Sequence, residues 1–303
     1  MGILKNRMEF LFIYDVKDAN PNGDPLDENK PRLDEETGQI IVTDVRLKRT
    51  IRDYLFKEKG LDVFIVEQRK EDGNLRTKEE RSADFKDDPE KILKSCIDMR
   101  LFGATTAIKG KTKTWVGPVQ FKFGRSLHRV NGPILVKGTT VMPSGAEKKQ
   151  GTFREEWIVP YALISFYGVA NENAAEATML QSEDIDLLIE GMWKGTKNLI
   201  TRSKFGQMPR LLLNIVYKQG ESFYIGELDR RIKWSTDKRE EEIRDIVDGV
   251  LDISELLNEV MKNKEKIEKV RIIVDERISV EPDIVDNLMK ILGKDKVQKL
   301  DIK

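Results

Sequence analysis

The chain of 303 residues has one cysteine, one histidine and no long run of uncharged residues. The single Cys96 excludes a disulfide framework and zinc sites built from several cysteines, and it is typical of a reducing, cytoplasmic compartment. The single His128 excludes most metal sites and leaves a Ser-His-Asp hydrolase dependent on that one residue. The longest uncharged stretch, 157–171, is shorter than the roughly 20 residues of a spanning helix. We therefore expect no membrane segment, no bound metal and no cofactor.

Acidic and basic residues balance at 53 each, but they are segregated along the chain. Residues 99–154 carry eleven basic side chains and one acidic one, and residues 191–220 carry six basic and no acidic ones. Residues 43–59 add six basic against three acidic side chains. A single charge run is most often a solvated face, but three runs with so few acids predict a cationic face and an acidic remainder. Nucleic acid is the leading candidate for the anionic partner.

The predicted elements alternate in the order strand, helix, strand, insertion, strand, helix, strand. The strands are predicted at 8–16, 62–67, 157–169 and 210–217, and the helices begin at the N-caps Thr43, Asp88 and Ser182. This is the βαββαβ order of an α+β, ferredoxin-like fold. We predict that it occupies residues 6–235, with insertions at about 70–115 and 131–156, the second a long basic β-hairpin. Residues 236–303 are predicted to form a helical and small α/β extension.

The helix that follows Thr43 is predicted to be amphipathic. At 100° per residue, Leu47 and Ile51 share one arc, whereas Arg46, Arg49 and Arg52 line another. The pattern predicts a helix that buries one side and presents arginines on the other.

The loop after the first strand has a mixed signature. The run from Asp18 to Asp24 matches the first half of a calcium-binding EF-hand loop, but Asn29 stands where that motif requires glutamate. Asx turns with Gly23 in a left-handed conformation are the favoured interpretation. The acidic residues of this region are Asp15, Asp18, Asp24 and Asp27. Together they could position a metal or a scissile phosphate, although a solvated loop is the favoured interpretation.

Several segments together resemble one known family. They are DANPNGDPLDENKPRLDEETGQIIVTDVRLKRTIRDYL, DMRLFG, WVGPVQFKFGRSLHRV and TFREEWIVPYALISFYGVAN. The chain resembles the Cas7 backbone subunits of CRISPR Cascade complexes, in the Csh-two branch of type I-B systems, with the Csd-two branch of type I-C close behind. The most specific elements are the loop Asn20 to Asp24 and the run Thr43 to Arg49. The resemblance extends from about residue 7 to residue 217.

The resemblance implies an RRM-like palm with inserted fingers at 70–115 and a hairpin thumb at 131–156. It implies a protein without enzymatic activity that polymerises head to tail along a guide RNA (crRNA), with other Cascade subunits and target DNA as further partners. The thumb wedge is assigned to Val141 and Met142. The implied RNA-binding residues are Asn20, Asn22, Arg46, Lys48, Arg49, Arg52, Arg100, Lys122, Arg125, Arg202 and Lys204. Of these, Arg100, Lys122 and Arg125 are expected to extend the groove formed by the cations at 46–52.

Two other functions remain open at this point. Related backbone subunits of type III complexes cut target RNA with a loop aspartate, so a metal-dependent endoribonuclease is the enzymatic alternative. A free-standing RNA-binding regulator would share the basic groove but would not polymerise.

Overall fold

The structure is a computed structural model that describes residues 2–108, 111–139 and 153–302. Within these ranges the α-helices are α1 (Asp44–Lys57), α2 (Lys78–Asp84), α3 (Pro89–Ser95), α4 (Ile97–Phe102), α5 (Glu172–Thr178), α6 (Ser182–Lys197), α7 (Ser254–Lys262) and α8 (Ile284–Leu292). None of these helices combines the length and apolar character needed to cross a membrane.

The β-strands of the described ranges form one large sheet and three small ones. They are β1 (Met8–Ala19), β2 (Gly23–Asp24), β3 (Lys30–Pro31), β4 (Leu33–Asp34), β5 (Gln39–Val42), β6 (Gly103–Ile108), β7 (Lys111–Val116), β8 (Val119–Phe121), β9 (Gly124–Ser126), β10 (Ile134–Thr139), β11 (Phe153–Ala170), β12 (Met208–Tyr217), β13 (Lys233–Ser235), β14 (Val250–Asp252), β15 (Ile267–Val274), β16 (Val280–Glu281) and β17 (Val297–Lys299). Neighbours in the large sheet follow the order β17, β15, β12, β1, β11, β9, β5, β4, and β8 and β10 also pair with β11.

The centre of the large sheet has the predicted fold class. β12, β1, β11 and β9 are antiparallel neighbours, and in chain order they are the fourth, first, third and second strands of a βαββαβ unit. α1 follows the first strand and α6 connects the third strand to the fourth. The two helices contact each other and share one hydrophobic core with the sheet. The expected α+β, ferredoxin-like palm is confirmed.

The predicted second strand at 62–67 is wrong. This segment is buried at Val63 and Phe64, but it pairs with no strand in the described part of the chain. The carboxylate of Asp98 accepts the backbone N–H groups of Phe64 and Ile65 at 2.7 and 3.1 Å, so a side chain takes the place of a neighbouring strand. The second position of the palm is instead occupied by β8 and β9.

Two of the three predicted helix N-caps are confirmed. Thr43 accepts a hydrogen bond from the backbone of Arg46, and Asp88 caps α3, as predicted. At α6 the prediction of Ser182 is wrong by one residue. Gln181 is the N-cap, because the carboxylate of Asp184 accepts its backbone N–H at 3.0 Å.

The palm sheet is covered on both faces. On the helix face, Phe12 and Phe166 pack with residues of α1 and α6. On the opposite face, which we call the far face, Leu11 and Leu163 pack with residues of α7 and α8. β15 and β17 also extend the large sheet. The segment 236–303 therefore covers and widens the palm sheet.

The predicted insertion at 70–115 has a small core of its own. Phe64, Ile92, Cys96 and Trp115 belong to this third cluster, which lies beside α1. Burial, together with the charge of Asp98, raises the pKa of the Cys96 thiol to about 12. Cys96 is thus a buried core thiol, as expected for a cysteine on the apolar side of a helix.

β11 is the longest strand, with 18 residues, and it joins the palm to the hairpin. Its first part pairs with β10, and the rest pairs with β1, β8 and β9. The partner changes between Ile158, which pairs with Ile134 of β10, and Val159, which pairs with Ala19 of β1. The base of the predicted hairpin is confirmed. The wedge residues Val141 and Met142 lie outside the described residues.

Candidate nucleic-acid interface

The loop after β1 is tied to the start of α1 by Asn22. The side-chain Oδ1 of Asn22 accepts both the backbone N–H and the hydroxyl of Thr43, each at 2.8 Å. Gly23 has a negative φ, so its predicted left-handed conformation is wrong. It is required for a different reason, since a Cβ there would lie 2.1 Å from Oδ1 of Asn29. Asn22 therefore holds the loop against the N-terminus of α1.

Asn20 ties the same loop to the segment before β12. Its backbone N–H donates to the carbonyl of Ser203 at 2.7 Å, and its side-chain amide donates to the carbonyl of Asn29 at 2.7 Å. The ammonium of Lys204 donates to the carbonyl of Asn20 at 3.2 Å and to the hydroxyl of Ser203 at 3.3 Å. The buried Oδ1 of Asn20 has no hydrogen-bond partner among the described residues.

Arg46 and Lys204 are close enough for their charges to interact. Burial lowers the pKa of Lys204 to about 8, and the charge of Arg46 contributes to that shift. The pKa of Arg46 is also lowered, mainly by burial. Neither side chain forms an ion pair with a carboxylate in the described part of the chain. We call Asn20, Asn22, Arg46 and Lys204 the cationic site.

The other cations of α1 have carboxylate partners. Lys48 pairs with Asp44 at 2.9 Å, and Arg49 pairs with Asp53 at 2.9 Å. Arg49 also reaches Glu67 at 3.2 Å, but 40% of its side chain remains exposed. Of the two, Arg49 is the more accessible to an added anion.

Arg52 does not lie on a solvent-facing arc. It is buried and pairs with the fully buried Asp98 at 2.9 Å, beneath the ring of Phe102. The insertion packs over this side of α1, which the helix wheel alone did not predict. The exposed arginine arc therefore consists of Arg46 and Arg49 without Arg52.

A cleft of about 490 Å³ separates α1 from the insertion. Arg46 and Arg49 line it on the helix side, and Arg76 lines it on the other. Val45 and Leu75 expose apolar surface at the same place. Sequence reasoning missed Arg76 and Val45, since Arg76 lies in a segment of mixed charge, where it pairs with Asp84 at 2.8 Å. The cleft borders the cationic site, and of its arginines Arg46 alone has no carboxylate partner among the described residues.

Arg100 does not join this groove. Its guanidinium forms two 2.8 Å hydrogen bonds with the carboxylate of Asp184, and it also donates to the carbonyl of Leu93 at 3.0 Å. These contacts connect α4 to the start of α6, and the side chain is largely buried. Arg100 is positioned as a structural residue.

The chain is similar in sequence to known proteins. The family profile described as "CRISPR-associated protein Cas7" matches residues 6–254. A curated protein of that name from Haloferax volcanii is 32% identical over 308 residues, covering 91% of this chain and 89% of the relative. The chain belongs to the Cas7 family. The resemblance noted in the sequence is confirmed at this level, and the type I-B branch remains a prediction.

Solved structures of similar fold come from RNA-guided complexes. A chain of a "CRISPR RNA-guided surveillance complex, pre-nicking" matches with a TM-score of 0.54 at 12% identity, covering 97% of this chain and 96% of that one. A chain of a "CRISPR RNA-guided surveillance complex" gives 0.53 at 13% identity, covering 97% and 94%. At such identities the comparison establishes a shared fold.

Arg202, Lys122 and Arg125 of this Cas7-family chain were also predicted to bind RNA. They lie away from the cationic site or pair with acidic residues. Arg202 is exposed and approaches Glu156 at 3.5 Å, near the base of the hairpin. Lys122 and Arg125 line a different pocket, on the far face of the sheet, which we call the far-face pocket. The structure therefore does not bring all eleven predicted residues into one groove.

The acids considered for metal-dependent chemistry are engaged in different ways. Asp15 is buried and pairs with Arg210 at 2.9 Å, while Tyr161 donates to it at 3.2 Å. Burial raises the pKa of Asp15, and Arg210 opposes that shift. Asp24 accepts the backbone N–H of Leu26 at 3.0 Å, as expected for an Asx turn. Asp15 is thus part of the palm's internal ion-pair network.

His128 is a buried residue stacked on Tyr161. Its Nε2 accepts the backbone N–H of Leu163 at 3.3 Å, and its Nδ1 lies 3.0 Å from the carbonyl of Arg129. Burial lowers the pKa of the imidazole. These contacts make His128 a structural residue, and they assign the proton to Nδ1.

Proposed function

We propose that this chain is a guide-RNA-binding backbone subunit of a CRISPR RNA-guided surveillance complex. Membership of the Cas7 family supports this, and so does the shared fold with chains of such complexes. The observation that carries the proposal is the cationic site, where Arg46 and Lys204 are partly buried without a carboxylate partner among the described residues. Uncompensated, partly desolvated cations favour an anionic ligand strongly.

The ligand of the cationic site is a phosphate of the guide. α1 has 14 residues, and its N-terminus, which faces this loop, carries a partial positive charge that also favours an anion. Contacts to phosphate fix the position of a strand and carry no sequence information. A scaffold for guides of variable sequence requires this kind of contact, and Arg49 at the rim of the cleft would extend it.

The subunit acts as a scaffold without enzymatic activity. Copies assemble head to tail along the guide, in a cytoplasmic type I-B complex that includes other Cascade subunits, and they present the guide for pairing with target DNA in antiviral defence. The segregation of charge along the sequence supports this arrangement, because an acidic surface on one copy can face a basic surface on the next. The hairpin built on β10 and β11 would divide the guide into short segments.

The salt dependence of RNA binding tests the phosphate contact. Replacing Arg46 and Lys204 together by methionine should weaken guide binding equally for unrelated spacer sequences, and it should reduce the slope of log K against log salt by about 1 to 2 units. Lys262→Met on α7 is the matched control, since this exposed lysine lies elsewhere and pairs with Glu259. An unchanged slope in the double variant would remove the cationic site from the interface.

A cleavage assay separates the scaffold from the endoribonuclease. Guide-loaded protein is incubated with Mg²⁺ and complementary RNA, and the products are sized. We expect intact RNA. Regularly spaced cuts that disappear in Asp18→Asn or Asp24→Asn would contradict the scaffold function and favour the type III kind of activity.

A further inference from the structure

The cleft beside α1 is crossed by an exposed ion pair. The guanidinium of Arg49, on α1, lies 3.2 Å from a carboxylate oxygen of Glu67, on the opposite wall. The side chains of the two residues are 40% and 43% exposed. The neighbouring pair of Arg52 with Asp98 is buried. A ligand that enters the cleft can therefore reach the first pair and cannot reach the second.

The fold holds Glu67 in place from both sides. Before it, the carboxylate of Asp98 accepts the backbone N–H groups of residues 64–65 at 2.7 and 3.1 Å. After it, the carbonyl of Gln68 accepts the backbone N–H of Arg76 at 2.9 Å. The carboxylate of Glu67 thus faces α1 because its backbone is anchored there, whereas most exposed ion pairs depend on two long and freely rotating side chains.

Each member of this ion pair has a second partner. Nε of Arg49 lies 2.9 Å from both carboxylate oxygens of Asp53, one turn along α1. The other oxygen of Glu67 accepts a hydrogen bond from Arg69 at 3.3 Å. The carboxylate of Glu67 therefore bridges two guanidinium groups, as a phosphate does in a basic groove. Its hydrogen bond from Arg49 lowers its pKa, so it is ionised at neutral pH.

We propose that Glu67 is an internal competitor of the RNA strand: in the free protein its carboxylate occupies the place at Arg49 that a phosphate takes on binding. This inference rests on the proposed function, in which Arg49 extends the phosphate contact of the cationic site. Arg46 and Arg49 are neighbours on one face of α1, with Cβ atoms about 5–6 Å apart. A strand held at Arg46 brings its next phosphate to Arg49 at high effective concentration, and that phosphate displaces Glu67.

Glu67→Gln tests the competition, because glutamine has nearly the same shape and cannot form the ion pair. RNA-free full-length protein is titrated with labelled A10 and U10 at about 0.1 M salt, and binding is followed by fluorescence anisotropy. The variant should bind both strands roughly 2- to 5-fold more tightly than the wild type, the range expected for an exposed ion pair. The gain should be equal for the two sequences, since phosphates carry no sequence information.

Glu80→Gln is the matched control. Glu80 belongs to the insertion, its side chain is 40% exposed, and it pairs with Lys70 at 2.8 Å. Its carboxylate also accepts the backbone N–H of Thr77 at the start of α2, a contact that glutamine preserves. The control removes the same charge without releasing Arg49. Since 0.1 M salt screens charges beyond about 10 Å, it should change the affinity by less than about 1.5-fold.

A double-mutant cycle separates competition at Arg49 from general repulsion of RNA. In an Arg49→Met background, Glu67→Gln should no longer raise the affinity, because the substitution then has no arginine to release. The same gain in both backgrounds would show that Glu67 only repels the strand, and it would contradict the proposal.

An affinity of Glu67→Gln that is equal to that of Glu80→Gln would overturn the proposal. So would weaker binding, since the ion pair would then hold the wall of the cleft in its binding position. The proposed function fails in a different way. If it is wrong, the double variant of Arg46 and Lys204 leaves the salt slope unchanged, whereas failure of the competition at Arg49 leaves the effect of that double variant intact.

Discussion

The cationic site and the far-face pocket lie on opposite faces of one sheet and are both lined by basic residues, yet their charges are balanced differently. In the cationic site, Arg46 and Lys204 face neutral oxygens and each other. In the far-face pocket, Lys122 and Arg125 each face an aspartate. Whether a basic side chain contributes to anion binding thus depends on the partners that it already has in the fold. A count of lysines and arginines does not reveal those partners.

Largely buried pairs extend the comparison. Arg52 with Asp98 and Arg100 with Asp184 join helices to each other or to the insertion. Their charges are neutralised locally and contribute to the stability of the fold. Paired and unpaired cations should therefore respond in opposite ways to substitution.

The largest expected effect comes from breaking a buried pair. Asp98→Ala leaves the guanidinium of Arg52 buried without a counter-ion and also removes the acceptor for the backbone of Phe64 and Ile65. We expect a loss of about 3–5 kcal/mol in the free energy of unfolding, measured by urea denaturation. Lys204→Met should not destabilise the protein, because it removes a partly buried charge that has no carboxylate partner among the residues that the structure describes. Equal losses in the two variants would contradict the distinction.

The second effect is a dependence of RNA affinity on pH. The pKa of Lys204 is about 8 in the free protein, and a bound phosphate would favour the protonated form. Affinity should therefore fall as pH rises above 8, by at most about tenfold per pH unit. Lys204→Arg keeps its charge and should flatten this dependence. A profile that is already flat in the wild-type protein would show that Lys204 does not contact the phosphate.

The same lysine has the opposite effect on stability. Its pKa is lower in the folded chain than in the unfolded chain, where it is near 10.4. The unfolded state then binds more protons between the two values, so this residue makes the free energy of unfolding rise with pH through that window. Binding and stability should thus change in opposite directions above pH 8.

The smallest effect concerns His128. Because burial lowers its pKa, the unfolded chain takes up a proton near pH 6.5 before the folded chain does. Stability should fall as the pH drops below that value, by at most about 1.4 kcal/mol per pH unit. His128→Gln should show a weaker dependence in this range when urea midpoints are compared at pH 5 and pH 7. A dependence of the same size in the variant would assign it to other groups.

The sequence predicted the features that local chemistry determines. The N-cap at Thr43 and the apolar arc of α1 follow from residues a few positions apart, and both are confirmed. The strand predicted at 62–67 was wrong because its apolar residues are equally suited to a buried segment without strand partners. There, Asp98 supplies the hydrogen bonds from more than 30 residues away.

The arrangement of the candidate site depended on contacts between distant residues. The loop from Asn20 to Asp24 was singled out by its asparagines and glycine, and its role in RNA binding stays a prediction. The ion pairs that Arg52 and Arg100 form with aspartates could not be predicted, because those aspartates lie 46 and 84 residues away in the sequence. Lys122 and Arg125 are separated from α1 because their side chains lie on the far face of the sheet. A shift of one residue in the strand register would move them to the helix face.

The unbroken course of β11 has a mechanical consequence. At about 3.3 Å per residue its 18 residues span about 60 Å, from the hairpin to the far end of the palm. A force applied at the hairpin is carried along one covalent backbone into the middle of the sheet, where β1 and β9 flank the strand. The hairpin is in effect the outer arm of a lever whose inner arm is the core of the palm, and the change of partner between Ile158 and Val159 marks the point between the two arms.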